Sequence, residues 1–255
     1  MITKNILKIL PVFILLLTEI SGVCASVIQP VTDTTATQKS PNPNSANWSF
    51  SGAFHSASLY FFTGTVDQSH PSFDALFIYD RKTWGGFAFK SLDLIDHKTG
   101  VNYAMAGIHK IFNIGQAWSV MPTIGINLNQ NYTMADKGSD FIFDMAISYK
   151  INPHFTVSND AFFQNIGITK DYNWTNRLKL SYHQTDFYLS ALVWERNRAF
   201  HNPGYLSAGL DAGYNIIKLS HKSNLFIGIS NIYMLQSDIP RRNGFMFNLG
   251  LNLGS

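Results

Sequence analysis

From about residue 48 onward the chain alternates. Phe141, Phe143, Met145, Ile147 and Tyr149 interleave with Ile142, Asp144, Ala146 and Ser148, and Trp174, Leu178, Leu180 and Tyr182 with Thr175, Arg177, Lys179 and Ser181. The pattern recurs in Leu206, Ala208, Leu210, Ala212 and Tyr214 against Ser207, Gly209, Asp211, Gly213 and Asn215. It recurs again in Phe245, Phe247, Leu249, Leu251 and Leu253 against Met246, Asn248, Gly250 and Asn252. A period of two sends successive side chains to opposite faces of a strand, so one face is oily and the other polar or small. About twelve such runs occur, near 47–62, 73–80, 85–93, 101–111, 117–129, 140–150, 155–164, 172–183, 187–195, 205–217, 224–235 and 245–254. They predict an all-β chain of about 12 antiparallel strands, with 10–14 compatible; most runs reach the ~9–11 residues that a tilted strand needs to cross a bilayer.

The connections alternate in length. Short ones fall at 81–84, 112–116, 151–154, 184–186 and 218–223, and longer ones at 63–72, 94–100, 130–139, 165–171, 196–204 and 236–244. This is expected when all turns of one kind lie on one side of a membrane, and it places both termini on the short-turn, periplasmic side. Ahead of the strands, residues 1–25 read as a cleaved signal peptide. Lys4 and Lys8 give a positive start, 9–17 is apolar, and Ser21-Gly22-Val23-Cys24-Ala25 supplies small residues for cleavage before Ser26. An apolar run of about nine residues is too short for a spanning helix, which needs ~20. The sole cysteine, Cys24, then leaves with the leader; a lipidated Cys24 is the alternative, although Val23 stands where a lipobox expects Gly or Ala. Residues 26–47, rich in Ser, Thr, Pro, Asn and Gln, read as a flexible periplasmic segment able to reach a periplasmic partner. Residues 48–255 form the β-domain.

Composition decides which face meets what. Only 14% of residues are charged, against about 25% in soluble domains, and the chain holds 20 Phe, 11 Tyr and 5 Trp. A soluble barrel with its oily face inward would present Gly, Ser, Asn and scattered charges to water. The deficit instead favours a closed transmembrane β-barrel with the oily face in lipid, where closure leaves no unpaired edge. A net charge of +3, with no basic run longer than Arg241-Arg242, argues against nucleic acid. No phosphate-loop, dinucleotide or clustered metal-ligand spacing occurs, so no cofactor, metal or catalytic residue is predicted.

These features together resemble the single-chain β-barrels of bacterial outer membranes, the porin-like class, over roughly Trp48 to Ser255. The resemblance implies an outer-membrane location in a diderm bacterium, a surround of outer-membrane lipid and insertion by the barrel-assembly machinery. One departure is the ending Leu253-Gly254-Ser255, where many relatives carry a terminal aromatic; the assembly signal then falls on Phe245 and Phe247.

With the oily parity in lipid, the opposite parity lines the lumen. It is expected to hold Asp74, Lys90, Asp144, Asp160, Arg177, Lys179, Arg196 and Asp211, with Arg177 and Lys179 meeting Asp144, Asp160 or Asp211. Equal numbers of acids and bases predict a narrow, charge-balanced passage for small solutes. Two other functions fit the same barrel. One is a structural or accessory barrel that binds a protein or lipid partner without transport, using Arg198, Arg241 and Arg242 on the longer loops to hold lipid phosphates. The other is a lipid hydrolase, for which His55-Ser56-Ala57-Ser58, His183 and Ser220-His221 supply weak His/Ser neighbours. Trp48, Trp84, Trp118, Trp174, Trp194, Tyr149 and Tyr182 are expected in an interfacial aromatic girdle.

Overall fold

The computed structural model describes residues 46–60, 63–68, 70–95, 102–129, 140–166, 173–196, 204–220, 223–238 and 243–254. The leader, most of the segment that follows it, and Arg198, Arg241, Arg242 and His221 lie outside the described residues.

Fifteen strands follow one another: β1 (Ala46–His55), β2 (Ser58–Tyr60), β3 (Thr65–Gln68), β4 (Ser72–Arg81), β5 (Trp84–Asp93), β6 (Asn102–Lys110), β7 (Phe112–Ile114) and β8 (Trp118–Asn129). The second half comprises β9 (Asp140–Lys150), β10 (Phe155–Ile166), β11 (Asn173–His183), β12 (Phe187–Arg196), β13 (Tyr205–Ser220), β14 (Ser223–Ser237) and β15 (Gly244–Gly254). The wall runs β6-β5-β4-β1-β15-β14-β13-β12-β11-β10-β9-β8, and a β6–β8 pairing closes it. Every pairing is antiparallel. β6 and β7 are one strand with a gap: the pairing with β8 stops at His109↔Thr123 and resumes in the same register at Phe112↔Val120. Pro122 sits opposite the gap, and a residue without N–H cannot complete a ladder there. The barrel therefore has twelve strands, and no helix among the described residues is long and apolar enough to cross a membrane.

Alternation sorts the faces as the period requires. On β15, Phe245, Phe247 and Leu249 are exposed outward, with Phe247 at 61%, while Met246, Asn248 and Gly250 are buried inward. On β12, Tyr188, Ser190, Leu192 and Trp194 are buried between exposed Phe187, Leu189, Ala191 and Val193. A hydrocarbon surround suits such an outer face, because water would make each exposed Phe or Leu unfavourable.

Aromatic side chains collect outward near the strand ends. At the short-turn end Trp118 packs on Tyr149 (5.3 Å between centroids) and Phe155 on Tyr182 (4.9 Å), with Trp48 directly across from Tyr79. At the long-loop end Phe163 stacks on Trp174 at 5.2 Å and Phe54 lies 4.9 Å from Phe73. Rings at both ends match the two interfaces of a bilayer.

Two runs depart from expectation. The first, read as 47–62, stops at His55. There Ser56 replaces the ladder, its N–H donating to the Phe247 carbonyl (3.0 Å) and its Oγ accepting from the Phe247 N–H (2.9 Å). The chain then leaves the wall, and β2, from the end of that run, pairs with β3, from the loop expected at 63–72, as a separate hairpin. The turn read at 112–116 is half strand, since β7 occupies its first three residues.

Candidate functional site

The inward face holds a polar chain that crosses the junction of the first and last strands, β1 and β15. Ser91 on β5 donates to Asp74 on β4 (2.6 Å), and Asp74 Oδ2 lies 3.5 Å from Nε2 of His55 on β1. His55 Nδ1 donates to Asn248 Oδ1 on β15 (2.8 Å), and Asn248 Nδ2 donates to Ser230 Oγ on β14 (2.8 Å). Ser230 donates to Asp211 on β13 (2.7 Å), which also receives the Tyr188 hydroxyl from β12 at 3.5 Å. Seven neighbouring strands are thus stitched through side chains, with His55 and Asn248 bridging the β1–β15 junction.

Two further histidine–carboxylate pairs share the β4–β6 wall. His70 Nδ1 is 3.1 Å from Asp93 Oδ2 at the long-loop end, and His109 Nε2 is 2.7 Å from Asp80 Oδ1 at the short-turn end. The second pair lies across Gly85, where an added Cβ would collide with both side chains.

Across the lumen the residues are charged differently. Arg177 Nε donates to Asp160 Oδ2 at 2.8 Å, its guanidinium 5.2 Å from the Phe162 ring, with both partners buried. The two stand directly opposite in the β10–β11 register. Asp144 is within electrostatic reach of this pair, and Lys179 of Asp211.

The β2–β3 hairpin packs into the lumen against β12–β14. Tyr205 donates its hydroxyl to the Thr63 carbonyl (2.6 Å) and Ser207 its hydroxyl to the Gly64 carbonyl (2.7 Å). Val66 covers a small core of Leu192, Trp194 and Ile232, and Arg196 lies 5.8 Å above the Tyr205 ring. Gly64 has φ +70, a left-handed conformation that glycine adopts without strain, and its Cα sits so close to Trp194 that no Cβ fits. A hairpin tied to the inner wall narrows the barrel.

Of the residues expected in the lumen, Asp74, Asp144, Asp160, Arg177, Lys179, Arg196 and Asp211 stand on the inward parity. Lys90 does not. It pairs with Ala75, while its neighbour Ser91 pairs with Asp74, so Lys90 shares the outward face with Trp84 and Ala88. The reason is that Phe87 and Phe89 turn inward: Phe87 lies over Gly107 and close to Gly125, which leave room for its ring. Trp194, expected in the girdle, is instead fully buried on the inner side beneath the hairpin, on the same parity as Leu192. Charge balance fails with these changes, because Asp80 and Asp93 join the inward carboxylates as Lys90 leaves. Among the described residues the membrane-spanning lumen leans acidic, with Lys150 and the Lys218–Asp186 pair (2.6 Å) at the short-turn rim.

The sequence reading singled out none of His55, His109, Asp80 and Tyr188 for the lumen, and it had Asn248 there only as one member of a polar face. Asp80 and Asn248 lie on the more polar parity of their strands, which was the available signal; on β6 Tyr103, Met105 and Gly107 share the face of His109 and gave none. Of the His/Ser neighbours, Ser56 serves the backbone of β15 and His183 stacks on Tyr188 at 6.4 Å.

No protein-family model matches the sequence, and no curated protein resembles it significantly. Solved structures do share the fold. The KdgM porin aligns with a TM-score of 0.55 at 8% identity, over 80% of this chain and 97% of that one. A second structure, described as the KdgM porin in complex with disordered oligogalacturonate, gives 0.51 at 7% identity, over 81% and 97%. The NanC porin gives 0.51 at 10% identity, over 82% and 98%. Closed antiparallel topology, an oily outer face and these neighbours lead to one conclusion: by fold the chain is a closed twelve-stranded antiparallel β-barrel, similar to the barrels of the KdgM and NanC porins.

Proposed function

We propose that the protein is a passive outer-membrane channel for small polar solutes, narrowed on its long-loop side by the β2–β3 hairpin. The observation that carries this reading is that a carboxylate inside the barrel remains open to water: Asp74 is 34% exposed, as is Asp80 (37%) at the short-turn mouth. An interior filled with side chains would bury Asp74, and twelve strands lie between filled small barrels and wide porins. The likeness to the KdgM and NanC porins supports a channel without naming its solute. Nothing in the inward polar chain presents an activated nucleophile, so the lipid-hydrolase alternative gains no support from it.

The hairpin favours a second reading, an accessory barrel whose lumen is shut. Planar-bilayer recording of refolded protein separates the two. A steady unitary conductance supports the channel; silence from protein that shows the heat-dependent gel shift of a folded barrel supports the accessory role.

A further inference from the structure

The outer face carries a cluster of cations at its short-turn rim. Arg81 ends β4 and pairs across the turn with Trp84, which in turn pairs with Lys110 on β6. These three therefore form one row on the outward parity, since their neighbours Asp80, Gly85 and His109 form the inward row. Lys82 projects from the turn between β4 and β5, at φ 59, a conformation that favours Gly or Asn over Lys. Lys110 is fixed between two rings of the girdle, its Nζ 4.8 Å from the Trp84 centroid and 5.0 Å from that of Phe112. Trp84 and Phe112 are exposed outward.

Among the described residues none of the three cations has a carboxylate partner. The described acid nearest in register, Asp80, points inward to His109 at 2.7 Å. Three positive charges at the boundary of an apolar belt attract an anion at the same height. A girdle of Trp and Phe marks that height as the headgroup level of a bilayer. Arg offers a planar fork for phosphate oxygens, and two ammonium groups can hold the same group from its flanks.

We propose that Arg81, Lys82 and Lys110, framed by Trp84 and Phe112, bind the phosphate headgroup of an anionic phospholipid in the periplasmic leaflet. The ligand is a lipid rather than free phosphate, because the acyl chains would continue along the oily face formed by Phe77, Tyr79, Ile108 and Ile124. The site rests on the membrane reading of the barrel and is independent of whether the lumen conducts.

Native mass spectrometry of the refolded barrel with added phosphatidylglycerol tests it. The wild type should retain phosphatidylglycerol in preference to zwitterionic phosphatidylethanolamine, and millimolar inorganic phosphate should not displace it. The triple variant Arg81→Gln, Lys82→Gln, Lys110→Gln should lose retention, by about fivefold per charge and ~100-fold together, at the scale of about 1 kcal/mol per cation near an anionic surface. Lys150→Gln removes a cation at the same rim but on the inner parity, and it should bind lipid as the wild type does. Equal retention by the triple variant, or an equal loss in Lys150→Gln, overturns the site. Displacement by inorganic phosphate assigns the cluster to free anions and overturns the lipid. Failure of the wild type to enter bilayers at all removes the membrane reading and the site with it.

Discussion

Tyr205 reaches from the inner wall to donate its hydroxyl to the Thr63 carbonyl at 2.6 Å. With the Ser207–Gly64 bond beside it, this ties the hairpin between β1 and β4 to β13, three strands along the wall from β1. Tyr205→Phe with Ser207→Ala removes both donors while keeping the shapes nearly unchanged, at about 1 kcal/mol each. The hairpin then keeps its packing through Val66 but loses two hydrogen-bonded ties to the wall, so unitary conductance should rise and its noise increase. Currents identical to wild type would show that the hairpin does not limit the lumen.

Arg177→Ala should destabilise the barrel strongly. It leaves Asp160, fully buried, without the guanidinium that lies 2.8 Å away, and a lone buried charge costs about 3–5 kcal/mol. Adding Asp160→Asn should recover much of that loss, because the orphaned charge goes too. Denaturant midpoints of the two single variants and the double variant measure the coupling; additive losses would refute it.

Glycines under aromatic rings should behave unlike glycines in open space. Gly213 lies beneath the Tyr188 ring, and Gly213→Ala must push that ring and its hydroxyl away from Asp211, at about 1–3 kcal/mol. Gly115 has nothing near its Cα, so Gly115→Ala meets only the strain of φ +68, about 1 kcal/mol. Thermal unfolding followed by gel shift should rank Gly213→Ala well below Gly115→Ala. The reverse order would mean that the ring is free to move.

The acidic bias of the lumen should appear as ion selectivity. In a salt gradient the reversal potential should favour cations, and Asp74→Asn with Asp80→Asn should move it toward zero, since these are the lumen carboxylates most open to water. An anion-selective wild type would contradict the inward placement of Asp80 and the outward placement of Lys90.

Most of the wall was legible because lipid and lumen enforce strict alternation. β9, β11, β13 and β15 follow their predicted faces, and the runs other than the first match the strands to within a few residues. The period failed where both parities were similar. On β5, Trp84, Gly86, Ala88, Lys90 and Leu92 alternate with Gly85, Phe87, Phe89, Ser91 and Asp93, and nothing local tells which set is oily. The glycines of β6 and β8 make room for Phe87 on the inward face, and Phe89 follows on the same parity. Trp194 was misplaced for a related reason: an apolar residue on a polar parity can pack against an inserted segment, and the insertion is a contact with a distant stretch of chain. The polar relay was legible only as a list of inward residues, since its bonds depend on a register that spans the whole sequence.

The bond between His55 and Asn248 joins residues separated by 193 positions. Contacts of such long range are slow to form, because the loop-closure entropy is paid before the contact offsets it. Until then β1 and β15 are bare edges, each ready to accept a foreign strand. The seam thus sets an order of events in which closure comes last, and the lifetime of the open sheet is the interval in which this chain is most exposed to misassembly.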